Sequence, residues 1–427
     1  MCMITRNRLL INALVCVILL VTPFLWAGGA KEQKAAQPIQ LTLWVYANPD
    51  GRWNVFQGFI DEWNNTKPSV QIKMEQIPFD RYMGEVLAAA LVGGRGPDLF
   101  LLSRGDYRKY VEGGLVYPVD EFMSPQMKAD FLPQVLEAVT YKGKIMTYPF
   151  EMDPVVLFYN KEMFAKAGLQ PPKTWDELYE TAVKLTTPQT YGIYLAPAPN
   201  AYQNFIFSPF VWMAGADFAD PDIKESRFKG PGAEKALELW RRLAQAKATP
   251  TTAIVESLAN GLAAMEVAGP WKIGSYRRNF KEFYETKMGI APLPTPTAND
   301  KPLTVYGGWG FAINSKSPHI KQAGEFITWI FSDPNRGVRW TTQGRTCLAP
   351  QKSIRDTQAH RAFWEDPKHK VFLDVMTTAR SEAANPEEIN KIIQDAIQKA
   401  FAGQGTIPEI VAEADRRITE YIRTQRK

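Results

Sequence analysis

From Ile39 the chain alternates. Ile39, Leu41, Leu43 and Val45 are separated by Gln40, Thr42, Trp44 and Tyr46, a period of two that predicts a strand with one buried face. Asn48-Pro49-Asp50-Gly51, four residues that favour turns, ends it. Val55, Phe56, Phe59, Ile60 and Trp63 then fall on one helical stripe, stopped at Lys67-Pro68. A second alternation (Val70, Ile72, Met74) predicts another strand, and a helix follows from about Arg81 to Leu91, ended by Gly93-Gly94. Pro97 to Leu102 is a short, nearly continuous apolar run, as a strand buried on both faces requires. Strand, helix, strand, helix, strand predicts an α/β fold class with a mostly parallel sheet.

The second half repeats the style. Apolar runs at Val155 to Tyr159 and Gly192 to Leu195 alternate with predicted helices at Trp175 to Leu185 and Ala233 to Ala244. Thr174 with Glu177 three residues on is a capping box, each side chain able to satisfy an orphan N–H of the first turn. Ile290-Ala291-Pro292-Leu293-Pro294 reads as a strand end with a Pro-rich exit, and from Ala323 onward the pattern is largely helical. Tyr148 to Glu177 packs a turn, a buried run, a short amphipathic helix, a Pro-Pro break and a capped helix into one stretch. Signals that dense mark a chain leaving one compact unit for another.

Composition narrows the class. At 427 residues the prior is roughly two or three domains. With 45% hydrophobic and 22% charged residues the chain reads as globular and soluble. A net charge of +5, with Lys and Arg scattered, does not suggest nucleic acid. Arg6 and Arg8 precede an apolar run from Leu9 to Leu25, then Trp26-Ala27-Gly28-Gly29-Ala30 and a polar stretch. This is the pattern of a secretory signal over residues 1–30, cleaved after Ala27 or Ala30, with a linker at 31–38. The alternative is a retained anchor, since about 17 residues is near the lower limit for spanning a bilayer. No lipobox cysteine follows the run, and Cys2 and Cys16 would leave with the signal. Cys347 would then be the mature chain's one cysteine, without a disulfide partner and best read as a small buried hydrophobe.

Motifs of catalysis are missing. His319, His360 and His369 are isolated and at unsuitable spacing for zinc. No G-x-S-x-G, P-loop or G-x-G-x-x-G stands in a fitting context. The expectation is a non-enzyme without metal or cofactor. A secreted glycosidase stays open as an alternative, because acids such as Glu151 and Asp153 can flank a glycosidic bond.

Taken in order, Gly94 to Ser103, Tyr110 to Phe122, Tyr141 to Leu178, Gly261 to Trp271, Ala291 to Pro296 and Tyr306 to Ser317 span nearly the whole chain after the leader. Together they resemble the extracellular (family 1) solute-binding proteins of ABC importers, in the maltose-binding-like, carbohydrate-oriented class. The resemblance implies a periplasmic-binding-protein type II-like fold: two α/β lobes, 39–150 plus 307–350 and 151–306 plus 351–427, joined by crossing hinge strands around a ligand cleft. It implies a binder that captures a sugar, closes, and docks on an ABC permease; a monomer is expected, and the absent lipobox cysteine argues for a periplasm, since an unanchored binder would otherwise diffuse away. The closer alternative is a non-sugar solute. A polyol phosphate would need converging cations such as Arg104 and Arg345, and a polyamine converging acids such as Asp106, Glu151 and Asp153.

The same resemblance nominates cleft residues, each with a plainer reading beside it. Asn48 is a polar ligand contact or a turn residue. Ser103, Arg104 and Asp106 follow a buried strand, where one of them meets the ligand or all are loop polarity. Asp153 is a ligand carboxylate or a turn acid; ionised, it can accept two sugar hydroxyls. Trp271 offers a flat ring to the C–H face of a pyranose, or is core. Gly308 and Trp309, within Gly307 to Gly310, line the cleft or only form the hinge. Tyr202, Gln203 and Trp212 are further stacking and polar candidates. Arg345 reaches the cleft or is solvated.

Overall fold

The computed structural model describes residues 37–425. The expected signal segment, its cleavage point, Cys2, Cys16 and most of the linker lie outside them. The alternation at Ile39 becomes the strand Ile39–Ala47, with Leu41, Leu43 and Val45 fully buried. Val70–Pro78 and Leu99–Ser103 run parallel on either side of it, Leu43 lying opposite both Met74 and Leu99. Trp309–Asn314 then joins antiparallel, Phe311 opposite Leu101, and pairs in turn with Val116–Tyr117 and Tyr148–Pro149. This sheet is thus completed by a strand from much later in the chain.

A second, four-stranded sheet has the order Tyr191–Tyr194, Ala263–Ala268, Val156–Asn160, Met288–Ala291. The first pair is parallel and the others antiparallel. Its central strands are buried on both faces, which explains the continuous apolar run: Leu157 joins one core while Val156 and Phe158 join the core on the opposite face. Between the sheets lies a small sheet of Arg380–Ser381, Val305–Gly307 and Asp153–Pro154, and Met152 bridges to Leu348. The chain crosses from sheet to sheet there.

Local chemistry sets the elements. Thr174 Oγ1 accepts from the Glu177 N–H at 3.2 Å while Glu177 Oε2 accepts from the Lys173 N–H at 2.6 Å, so the cap box is closed one residue further back than expected. The helix expected near Arg81 to Leu91 is broken. Phe79–Arg81 and Leu87–Val92 are helical, but Gly84 leaves helical geometry with ψ at −129°. Glycine, without a Cβ, lets the backbone depart at low cost. Tyr82 beside it is pinned to the sheet, its hydroxyl donating to the Leu101 carbonyl at 2.7 Å and accepting from the Leu101 N–H at 2.9 Å.

Candidate ligand-binding cleft

A cavity of about 340 Å³ opens between the two sheets, and aromatic rings dominate two of its sides. One side carries Tyr46, Phe79 and Trp309. Tyr46 is the penultimate residue of the first strand, Phe79 follows the second, and Trp309 opens the antiparallel strand opposite Ser103. Their rings touch through Tyr46, 4.6 Å from Trp309 and 5.5 Å from Phe79 between centroids. These positions cluster at the carboxyl ends of parallel strands, where open α/β sheets bind ligands.

The other side carries Tyr202, Phe205 and Trp271. The first two sit in the opening turns of the helix Ala201–Met213, which Asn200 caps by accepting from the Gln203 N–H at 3.2 Å. Trp271 opens the helix Trp271–Asn279, just after the buried strand Ala263–Ala268. Its indole folds back over Gly269, where a Cβ would come within 2.0 Å of the ring, so only glycine fits. Trp271 lies 6.0 Å from Tyr202, edge to face, and 6.5 Å from Phe205.

Every cation on the cavity wall is already engaged. Arg345 donates from Nε to Glu151 Oε2 at 3.1 Å and from Nη2 to Asp153 Oδ2 at 2.8 Å, with its guanidinium 5.0 Å from the Trp271 ring. Arg52 donates to both oxygens of Asp50 and, at 3.2 Å, to the Tyr46 hydroxyl. Lys272 pairs with Glu266 at 2.9 Å and Glu256 at 3.4 Å, and those acids also accept from Ser257 and Ser275. Burial raises the Glu151 carboxyl to about 8 and pushes Asp153 up as well, against the pull of Arg345.

The structure gathers Asn48, Ser103, Asp153, Tyr202, Trp271, Gly308, Trp309 and Arg345 around this cavity. Asn48 is also a turn residue, its Oδ1 accepting from the Asp50 N–H at 3.0 Å. Asp153 is not a free acid: one oxygen is held by Arg345, and the carboxyl of Glu151 lies against it. Arg345 is buried rather than solvated. Four candidates stand apart. Arg104 faces a smaller neighbouring pocket of about 40 Å³, 5.0 Å from the Tyr107 ring, with Nε and Nη1 buried and unpartnered. Asp106 accepts from the Ser103 hydroxyl at 3.0 Å, and burial raises it to about 6. Trp212 is buried under the Arg380 guanidinium, 4.2 Å from its ring, off the cavity wall. Gln203 is fully buried and donates to the carbonyls of Ala196 and Pro197.

Tyr46, Phe79, Phe205, Glu256, Glu266, Lys272, Ser275 and Glu382 were not foreseen on the wall. Glu266 carried a signal, a lone acid inside the apolar run Ala263 to Ala268. Glu382 carried none.

The family described as bacterial extracellular solute-binding protein matches residues 54–337. The chain belongs to this family. Its members are binding receptors of transport, not enzymes, and the fold is the two-lobed α/β one of periplasmic binding proteins. A maltotriose-binding protein of Pyrococcus abyssi is 28% identical to this binding protein over 303 residues. The match covers 69% of this chain and 63% of that relative, less than two thirds of its length. Among solved structures, an ABC transporter solute-binding protein of Thermotoga lettingae, bound with alpha-D-tagatose, superposes with a TM-score of 0.80 at 25% identity. That comparison covers 90% of this chain and 100% of the other. UgpB of Mycobacterium tuberculosis, in complex with glycerophosphocholine, matches in fold with a TM-score of 0.76 at 20% identity, over 92% and 100% of the two chains. Among the described residues no helix of the binding protein is long and apolar enough to cross a membrane.

Proposed function

We propose that this binding protein captures a carbohydrate outside the cytoplasmic membrane and passes it to an ABC-type permease. One observation carries the reading: two aromatic panels face one cavity whose cations are all paired. Flat rings suit the apolar faces of a pyranose, while the polar atoms between the panels meet its hydroxyls. A polyol phosphate would find no free cation on the described wall. A polyamine would find Asp153, Glu256 and Glu266 already paired and Glu382 as the single unpaired acid on the described wall, where several ammonium groups need converging acids. The named ligands of the Pyrococcus and Thermotoga proteins, maltotriose and tagatose, fall in the favoured class.

In this reading the lobes 39–150 plus 307–350 and 151–306 plus 351–427 close on the sugar, because contacts from both sides stabilise the closed state. The leader at residues 1–30 directs a monomer to the periplasm. A thermal-shift screen against neutral sugars, polyol phosphates and polyamines tests the class, since a ligand stabilises the state it binds. Trp271→Ala should weaken the best sugar at least about tenfold, some 1.4 kcal/mol, with the fold kept by circular dichroism. Unchanged affinity in that variant would sink the assignment.

A further inference from the structure

Glu382 stands at one end of the cleft, immediately after the strand Arg380–Ser381, and only 9% of it is exposed. Its backbone N–H is fixed to the Tyr306 carbonyl at 2.8 Å, so the side chain is aimed by the crossing sheet. The carboxylate occupies the space left by two glycines. A Cβ on Gly105 would lie 2.6 Å from Oε1, and a Cβ on Gly307 would lie 2.7 Å from Oε2. Phe205 approaches the same spot, 2.8 Å from that Gly307 position.

The other acids on the wall are all spoken for: Asp153 by Arg345, Glu256 by Ser275 and Lys272, Glu266 by Lys272 and Ser257. Among the described lining acids, Glu382 alone has neither a hydrogen bond nor an ion pair. So little of this carboxyl is open, and that on the cavity side, that a ligand in the cavity is well placed to supply the donor it lacks.

We propose that Glu382 is a specificity-determining ligand contact: it takes a hydrogen-bond donor of the bound sugar, a hydroxyl or an ammonium, and turns away ligands that present an anion there. This rests on the carbohydrate reading of the cleft. The surroundings fit the role. From the preceding loop Arg104 and Asp106 face it, the former attracting its charge and the latter opposing it. On the crossing strand it is the Tyr306 backbone carbonyl, not a titratable group, that meets Glu382, holding its N–H. With no donor, burial raises the Glu382 carboxyl to about 8, so near neutrality it is largely protonated. A ligand donor favours the ionised form. Binding therefore releases a proton, and affinity rises as the pH climbs through about 8.

Calorimetry on the full chain tests this with maltotriose, D-tagatose, D-glucose, D-glucosamine and D-glucuronate, in buffers of different ionisation enthalpy at pH 7. For the tightest neutral sugar, the wild type should give buffer-dependent heat, Glu382→Gln should abolish that dependence, and Glu382→Ala should lose at least tenfold in affinity. At pH 9, where the Glu382 carboxyl is ionised, glucuronate should bind at least fivefold better, relative to glucose, in Glu382→Gln than in the wild type. A glucosamine preference lost in Glu382→Gln assigns the ammonium to this site, and equal losses for glucose and glucosamine assign a hydroxyl; either supports the proposal. Buffer-dependent heat that persists in Glu382→Gln would give the proton to Glu151 and Asp153 and overturn it. So would affinity unchanged within twofold in both variants. If no sugar of the set binds, the carbohydrate reading fails and this proposal falls with it; a sugar that binds regardless of residue 382 overturns the proposal alone.

Discussion

Gly308 shows how much a single position decides. Its φ of 143° is outside the comfortable range of L side chains, and a Cβ would come within 2.4 Å of the Glu151 carbonyl. Gly308→Ala should cost about 1–3 kcal/mol, read as a lower denaturation midpoint. The neighbouring acids make stability depend on pH with a definite sign. Glu151 and Glu382 are both raised to about 8 from an ordinary 4.5, so the folded state holds their protons longer than the unfolded one. That stability is complete below about 4.5 and is lost as the pH rises through about 8. Glu382→Gln should therefore flatten the fall of Tm between pH 5 and 9, and a Tm profile parallel to the wild type's would refute the assignment. Arg345→Met leaves Glu151 and Asp153 buried without their cation. It should destabilise by about 3–5 kcal/mol at high pH and by less at pH 5, where the acids can be neutral. At this scale the sequence was readable where residue type and motif coincide. Trp271, Trp309 and Gly308 stand in a Gly-Pro-Trp or Gly-Gly-Trp-Gly context. Glu382 was invisible because nothing local distinguishes it from a surface acid; only the pairing of Arg380–Ser381 with Val305–Gly307 turns it inward.

Elements were legible to the extent that one local force governs them. The helix Trp175–Leu185 has the bounds expected from the sequence because Thr174 supplies the cap and a single apolar face, Leu178, Ala182 and Leu185, supplies the burial. Thr174→Ala removes the acceptor for the Glu177 N–H and should cost about 1 kcal/mol, measurable as a shift in denaturation midpoint without loss of binding. Strands shifted by a residue or so, because a continuous apolar run such as Val155 to Tyr159 fixes burial but not the first paired residue; pairing with Met288–Ala291 moves the strand to Val156–Asn160. The helix Ala201–Met213 hid its role. Nearly all of it is buried, so no periodic face singles out Phe205 as the ring that meets the cavity. The broken helix near Gly84 failed for another reason. Its geometry is set by a tertiary bond, the Tyr82 hydroxyl to Leu101, which no local pattern reports.

Across the whole molecule, what joins the sides of the cleft is a short set of bonds. The helix Trp271–Asn279 carries Trp271 into the cavity at one end and Arg278 out to the opposite wall at the other. Arg278 Nε donates to the Asp50 carbonyl at 2.5 Å, and Nη1 donates to the carbonyls of Gln343 and Gly344 at 2.6 and 3.0 Å. Nη2 lies 3.3 Å from the Asp50 carboxylate, which Arg52 also holds. Asp50 ends the turn after the first strand, beside Asn48 and Pro49 of the cavity wall, so this guanidinium ties the far rim of the cleft to the helix that bears the stacking tryptophan. The planar fork is what lets one side chain reach a carboxylate and three carbonyls, and lysine cannot reproduce that. A charge-assisted bond contributes about 1.5–3 kcal/mol when shielded. Arg278 is 26% exposed, so about 1–2 kcal/mol is the fitting expectation once solvent screening is allowed for. If closure binds the ligand, that energy belongs to the closed state alone. Arg278→Ala should then weaken sugar affinity about five- to thirtyfold, chiefly through faster dissociation, while the ligand-free protein keeps its thermal midpoint within a few degrees. Small-angle scattering of the sugar-saturated variant should show a larger radius of gyration than the saturated wild type, and Arg278→Lys should fall between the two. Identical scattering and affinity in all three proteins would mean that Arg278 only decorates the rim and that the lobes are held closed from elsewhere.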